Sequence, residues 1–402
     1  MSQTVALTGT MTTDGVGGIT IALTGSSGGT TPPPTNPPPT NPPPTLPPPV
    51  DTRVLTPTGG DDTGAIQGAL NDLPSGHALM LSGMFQVSNT LWLDGYQKRM
   101  IGDPAKPSGI RAMNSGMNGH YGALLCTKPS ASHCAVQGLE FDAQGKQTEL
   151  IFIDGGNTNI IDNCYLHDIA YNPSGAPYAA IHSQNVTDLV ISRNRIERTT
   201  GIDGGEGVRG IWIVGAKGLV IVGNKVKDTG HTCIIGEGAS VVIVGNQCGN
   251  SLTQGTGIKL CYRPMNDYQS RTQHGFTVAK NSINTTMGAG LMLQDVGEIP
   301  GGVLVESNDF INCGKQGTSF GAIYSSNDAN NVIFRGNKVE NCRSVAGLRH
   351  ARNWLFENSN IVGGSNVVWL EDSCSGITLD RSGTANVGSN CSNVTVDGNK
   401  VA

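Results

Sequence analysis

Acids, bases and large aromatics are scarce in this chain, so the places where they gather are informative. Of 402 residues, 14% are charged and 5% aromatic, against roughly 25% charged in an average soluble domain. One stretch concentrates them. It holds Asp203 and Glu206 in "TTGIDGGEGVRG", Trp212 in "GIWIVG", His231 in "KDTGHTC", Glu237 in "IIGEG", and Lys259, Tyr262 and Arg263 in "GIKLCYRP". Glycosidic hydrolysis needs two carboxyl groups, ~5–5.5 Å apart for retention or ~6.5–9.5 Å for inversion. Glu237 paired with Asp203 or Glu206 answers that requirement. Elimination from a uronate needs a base for the proton α to the carboxylate, and cations to neutralise that carboxylate. Lys259 and Arg263, with Tyr262 between them, answer that one, and His182 is a further acid–base candidate. Neither a metal nor a cofactor is expected, because the chain has no C-x-x-C, no zinc-type His/Cys spacing and no Asp-rich calcium loop.

These residues must be brought together by the elements that carry them. "GIWIVG" alternates, so with Ile211 and Ile213 inside, Trp212 points outward. The same register applied to equivalent strands exposes Phe152 and Asp154, His182 and Gln184, Ile235 and Glu237, Lys259 and Cys261, and Met292 and Gln294. Further along it exposes Tyr324 and Ser326, Arg349 and Ala351, and Trp369 and Glu371. Stacked strands lie ~4.8 Å apart, so neighbouring and next-but-one carboxylates fall near the two hydrolase spacings. The outward row mixes aromatic faces with polar groups, which suits a sugar chain. Trp212, Tyr262, Arg263, Tyr324, Arg349 and Trp369 are the candidate binding residues, and a subunit contact is the competing use of such a face.

The strands belong to a repeat. Short β-branched segments end in Asn at Asn163, Asn194, Asn224, Asn246, Asn281, Asn308, Asn337, Asn358 and Asn399, mostly 21 to 35 residues apart. Each is followed by an apolar pair and a loop, and a second strand often follows a Gly, as at Gly210, Gly257, Gly290, Gly321 and Gly347. Variable gaps around a constant strand–Asn–strand core exclude helical solenoids and predict a right-handed parallel β-helix of about ten coils. The Asn residues are expected to form a ladder of side-chain hydrogen bonds. Cys164, Cys313 and Cys342 each follow an Asn, which suggests one repeating place for a reduced, buried thiol.

Twelve of the 21 prolines lie between Pro32 and Pro49. That run predicts a polyproline II spacer over residues 31–50. Before it, residues 1–30 contain the echo "TVALTG" (Thr4–Gly9) and "TIALTG" (Thr20–Gly25), read as two strands of a short attachment segment. After it, residues 51–402 form the β-helix domain, with residues 51–95 giving a capping helix and the first coil. Asp62 or Thr63 caps that helix, and Ile66, Ala69, Leu70 and Leu73 form its apolar side. A formal charge of −5 argues against nucleic-acid partners. No apolar run approaches the ~18 residues of a membrane span, so membrane insertion is not expected.

"GGDDTGAIQGALND" (Gly59–Asp72) followed by "ALMLSGMFQVSNTLWL" (Ala78–Leu93) resembles the opening of pectate-lyase-like β-helix domains, including bacteriophage tailspikes and polysaccharide depolymerases. The resemblance implies a homotrimeric rod and a polysaccharide ligand. With the anchor–spacer–rod order, the thiols and no visible export signal, it makes a virion tailspike the leading expectation. Residues 1–30 would then meet tail or capsid proteins, and the rod would bind a host-surface polysaccharide, with cleavage added if it is an enzyme. A bacterial lyase or hydrolase of this superfamily, exported by a non-Sec route, is the alternative. A non-catalytic fibre or capsid decoration is the third reading. The Asp-Asp pattern of polygalacturonases, the Asp-Pro-His of uronate epimerases and the Lys–Arg arrangement of alginate-lyase-like members are not seen.

Overall fold

The computed structural model describes residues 46–401 apart from 116, 118–121, 171–177, 200–201, 204–205, 254, 262–274, 298–300, 317–319, 366, 381–383 and 389. It also describes the backbone of 8–13 and 19–24, and for 202, 203 and 206 the backbone alone. Most of the spacer lies outside the described residues.

The fold is an all-β, right-handed parallel β-helix of about 11 turns. Each full turn lays down three short strands, one per face. Sheet one takes strands such as Ile151–Asp154, Ala179–Gln184, Ile258–Cys261, Leu291–Gln294 and Ile323–Asn327. Sheet two takes Ile160–Asp162, Thr187–Ser192, Phe276–Ala279 and Val303–Glu306. Sheet three is an unbroken stack of 11 strands from Met84–Val87 to Asn360–Val362. Arg209–Val222 and Ile234–Val244 run straight from sheet one into sheet two. Alternation sends Ile181, Ile211, Ile234, Ile258, Leu291 and Ile323 inward, where all are buried. Glycines precede several sheet-one strands because the wall is tight there. A Cβ on Gly290 would stand 2.5 Å from a ring carbon of Phe310, on the sheet-three strand of the same turn.

An asparagine ladder joins sheet two to sheet three. The backbone N–H groups of Cys164, Asn194, Asn224, Asn246, Asn281 and Asn308 each donate to the Oδ1 of the next Asn at 2.9 Å, ending at Asn337. The Nδ2 groups donate upward to the same oxygens and inward to carbonyls such as Ile191 and Ile221. The sequence reading is one residue out at both ends of this run. Asn163 and Asn358 occupy the left-handed position before the ladder, at φ 51°, which Asn tolerates better than most residues. Cys164 and Ser359 take the ladder places themselves. Asn399 pairs antiparallel with Val396 in a terminal hairpin and is not a rung.

The cysteines do not share one place. Cys164 lies at the bend into sheet three, whereas Cys313 and Cys342 follow left-handed Asn312 and Asn341 at the exit from it. A left-handed Asn followed by a small buried residue serves both bends. None of the ten cysteines is in a disulfide, nine are buried, and burial pushes the Cys164 thiol up to about 12.

At the N-terminal end, helix Thr63–Asp72 turns Ile66, Ala69, Leu70 and Leu73 into the core, as expected. Asp62 is the N-cap by position, but its carboxylate accepts from Thr58 N and Oγ1 and caps no helix N–H. Gln67 meets the first strand of sheet one. Its Nε2 donates to Trp92 O at 3.1 Å and its Oε1 accepts from Trp92 N at 2.7 Å. One amide side chain thus stands in for a missing strand. Two strands near the N-terminus pair antiparallel, Thr8–Thr13 with Ile19–Thr24. The first lies further along the chain than the expected Thr4–Gly9.

Candidate active face on sheet one

The outward row of sheet one runs Trp92, Cys126, Phe152, His182, Trp212, Ile235, Lys259, Met292, Tyr324, Gly347, Trp369 and Asn386. Its order matches the expected column except at Arg349, which Gly347 replaces opposite Tyr324 and Trp369. Arg349 stands two residues on, opposite Asp372, after a bulge that also displaces Glu371. A similar bulge sets Asn327, not Ser326, opposite Gln294.

Outward does not mean exposed. Phe152, His182, Ile235, Glu237, Cys261 and Tyr324 are all buried, contrary to the expectation from alternation, and Ala351, past the bulge, packs into the main core and does not face outward. Parallel in-register strands set like positions one coil apart, so large side chains cover one another. Phe152 meets His182 edge-on at 5.1 Å, and Phe320 covers Tyr324 at 5.0 Å. Trp92, Ala123, Cys126 and Phe152 make a small apolar cluster of their own.

At the middle of the row these contacts build a compact polar–aromatic cluster. The His182 ring, 3% exposed, stacks on Trp212 at 5.0 Å and 7°. Tyr178 stands edge-on to both rings, and the Arg209 guanidinium lies 4.8 Å from the indole centroid. Trp212 is therefore half-buried and engaged, not the free platform expected. Glu149, fully buried, accepts from the backbone N–H of Tyr178 at 2.8 Å and approaches His182 Nδ1 at 3.3 Å. Trp212 Nε1 donates to Glu237 Oε1 at 3.3 Å. The row thus links two buried carboxylates through an imidazole and an indole. Glu149, Tyr178 and Arg209 escaped the sequence reading because none sits on an outward strand position. Their signal was local: each lies at or just before the start of an apolar strand, in "TELIFID", "PYAAIH" and "VRGIWI".

A hydrolase at Glu237 needs a second acid. The next coil sets Cys261 opposite Glu237, and the previous coil bulges between Ile213 and Ala216. Neither ladder neighbour is a carboxylate. Asp203 and Glu206 are backbone partners in a short antiparallel pair, Ile202–Asp203 with Glu206–Gly207. Lys259 takes its expected place in the row, half-buried between Ile235 and Met292. Tyr262 and Arg263 lie outside the described residues.

Toward the C-terminal end the row opens. Trp369 is 38% exposed and Arg349 is exposed. Gly347 adds no side chain between the Tyr324 and Trp369 positions, which stand two coils, roughly 10 Å, apart. The Tyr324 hydroxyl and the acidic pair Glu371 and Asp372 hold Arg349 further toward its charged form than usual.

Sheet three carries a second concentration of charge that sequence reading passed over. Glu197, 1% exposed, accepts from Tyr165 Oη at 2.6 Å and from Arg195 at 2.8–2.9 Å, and pairs with Arg198 and Lys227. Burial would raise its carboxyl, but the hydrogen bonds from Tyr165, Arg195 and Lys227 outweigh burial and hold it at about 2.

Comparison with known proteins follows the architecture. A family model described as "Right handed beta helix region" matches residues 117–265 and 268–402. Among solved structures, the catalytic domain of a GH87 α-1,3-glucanase in complex with nigerose is similar at 14% identity and TM-score 0.52, over 89% of this chain and 68% of that one. The Dettilon tailspike protein is similar at 13% identity and TM-score 0.49, over 85% and 68%. A polygalacturonase from Erwinia carotovora ssp. carotovora gives 14% and 0.49, over 89% and 97%. A search of curated protein sequences finds no match. With its family model spanning most of the coils and its strands stacked in three parallel sheets, the chain belongs to the right-handed β-helix family.

Proposed function

We propose that the protein binds a host-surface polysaccharide along sheet one, as a virion tailspike-like homotrimer attached through residues 1–30. The observation that carries this reading is the open end of the outward row. There an exposed Trp369 stands beside Arg349, with the side-chain-free Gly347 between it and Tyr324. An indole face stacks on a sugar ring, and a guanidinium orients hydroxyl or carboxylate substituents. The buried cluster around Trp212 continues the row and stiffens it. The fold likeness to a glucanase catalytic domain supports the same use of the scaffold, and the overall scarcity of charge favours neutral or weakly acidic glycans over nucleic acid.

Cleavage on this reading is hydrolysis at Glu237, with Asp203 or Glu206 as the second carboxyl group. The test is a panel of purified capsular and O-antigen polysaccharides, scored for binding and for new reducing ends. Binding that survives in Glu237→Gln while reducing ends disappear supports hydrolysis, since Gln cannot exchange the catalytic proton. Unsaturated products that vanish in Lys259→Ala support a lyase instead. Binding with neither product supports a recognition spike. No binding across the panel overturns the proposal, and a monomer by light scattering overturns its trimer.

A further inference from the structure

We propose that sheet three holds a divalent first-row metal ion, with zinc as the reference case, on Glu140, Asp142 and His167. The three residues come from two adjacent coils. Asp142 lies directly opposite His167 in the parallel register, and Glu140 is two residues back on the same strand and the same face. One donor atom from each lies within 4.8 Å of the others.

The imidazole carries the argument. His167 is 5% exposed, and its Nδ1 sits 2.6 Å from Asp168 Oδ2. A contact that short between a ring nitrogen and a carboxylate is a charge-assisted N–H···O bond, so it fixes the proton on Nδ1. Arg198 Nη2, 3.1 Å from the same nitrogen, already donates to Asp168 Oδ2 and Tyr165 Oη. In the neutral ring this puts the lone pair on Nε2, an atom that is buried and without a hydrogen-bond partner. It faces another acceptor, Glu140 Oε1, at 3.4 Å. With the neutral ring, two acceptors face each other inside the wall, an arrangement that a bound cation between them satisfies. The separation also suits one, because donor atoms on a tetrahedral zinc stand ~3.3 Å apart. The carboxylate–imidazole–cation order, with Asp168 behind the ring, is the arrangement that orients metal-binding histidines.

One imidazole with two carboxylates selects zinc-like ions over calcium, which takes oxygen ligands throughout. Access is open. Glu140 and Asp142 are partly solvent-exposed, and Asp142 also lines a cavity of about 770 Å³ with Asp168, Arg198 and Asp228. Arg111, opposite Asp142 on the preceding coil, is the local competitor. Its Nε lies 3.5 Å from Asp142 and its Nη2 3.9 Å from Glu140, with the side chain 40% exposed and able to swing out.

The experiment uses the full chain, stripped with a chelator and titrated with Zn²⁺ by calorimetry, with Co²⁺ visible absorption as a second readout. One equivalent of each metal binds the parent chain. Asp168→Asn weakens zinc about 10–100-fold, the usual effect of losing such an outer carboxylate. His167→Gln abolishes the Co²⁺ signal. Arg111→Gln, a surface change that leaves the fold intact, tightens zinc several-fold, which a merely structural role for Arg111 would not do. No stoichiometric binding to the parent chain overturns the site. So does zinc affinity unchanged in His167→Gln, or a His167 ring that NMR shows protonated on both nitrogens in excess zinc.

Discussion

At the scale of single residues, burial separates side chains that alternation alone treats alike. Trp212 and Trp369 occupy equivalent places in one row, yet the first is locked among His182, Tyr178 and Arg209 while the second is open. Trp212→Ala is therefore expected to cost about 2 kcal/mol of stability, between the value of an aromatic pair and that of a core truncation. Trp369→Ala is expected to leave the melting temperature within about 1 °C and to weaken glycan binding by about 1–3 kcal/mol. Thermal melts and binding titrations on both variants check this. Glu197 sets an acid limb. Its folded carboxyl is held at about 2 against an ordinary 4.5. A carboxyl depressed by folding stabilises the native state above its unfolded value, and that contribution is lost as pH falls toward the folded one. Melting temperatures of the parent should drop between about pH 4.5 and 2 more steeply than those of Glu197→Gln, whose limb is flatter. Equal slopes would mean that the carboxylate contributes nothing to acid stability.

At the scale of elements, the repeat was legible and its register only partly so. Strand–Asn–strand spacing is enough to require stacked coils, because no helix fits the short apolar runs. It does not show which of two adjacent residues at the bend points inward. Asn163 and Asn358 therefore read as rungs although Cys164 and Ser359 hold the places. The bulges that displace Arg349 and Glu371 leave no mark in the local pattern either. Likewise, the sheet-three residues Asp142 and His167 lie 25 positions apart, and only the register brings them together. The ladder itself is testable. Asn246 accepts at Oδ1 from Asn224 N and Nδ2 and donates to Ile221 O and Asn281 Oδ1, all about 2.9–3.0 Å. Asn246→Ala leaves several buried groups without partners and is expected to cost about 2–4 kcal/mol by denaturant unfolding. Asn246→Ser keeps one hydroxyl and should cost less. An Ala variant no worse than Ser would show that the ladder fills space without contributing hydrogen-bond energy.

At the scale of the whole molecule, a β-helix is a one-dimensional object. Each coil rests on its neighbours, and stability is close to a sum of such steps. The core is continuous from Ile66 on the helix to Val394 near the far end. Perturbation at one end should therefore fray coils in order, and amide exchange in Gln67→Ala should rise first around Leu91–Leu93 and fade toward the middle. Uniform loss of protection would argue for a single cooperative unit. The Gln67 clasp on Trp92 has a further consequence, which concerns length. A stack that can always accept one more strand has no intrinsic stopping point, and a second molecule's terminal coil matches the first in spacing and hydrogen-bond pattern. By occupying the free N–H and C=O of Trp92 with a side chain that cannot itself be extended, the helix acts as a chain terminator. Without it, the molecule becomes a seed for its own polymerisation, and particle size in Gln67→Ala should grow with protein concentration while the parent's stays fixed.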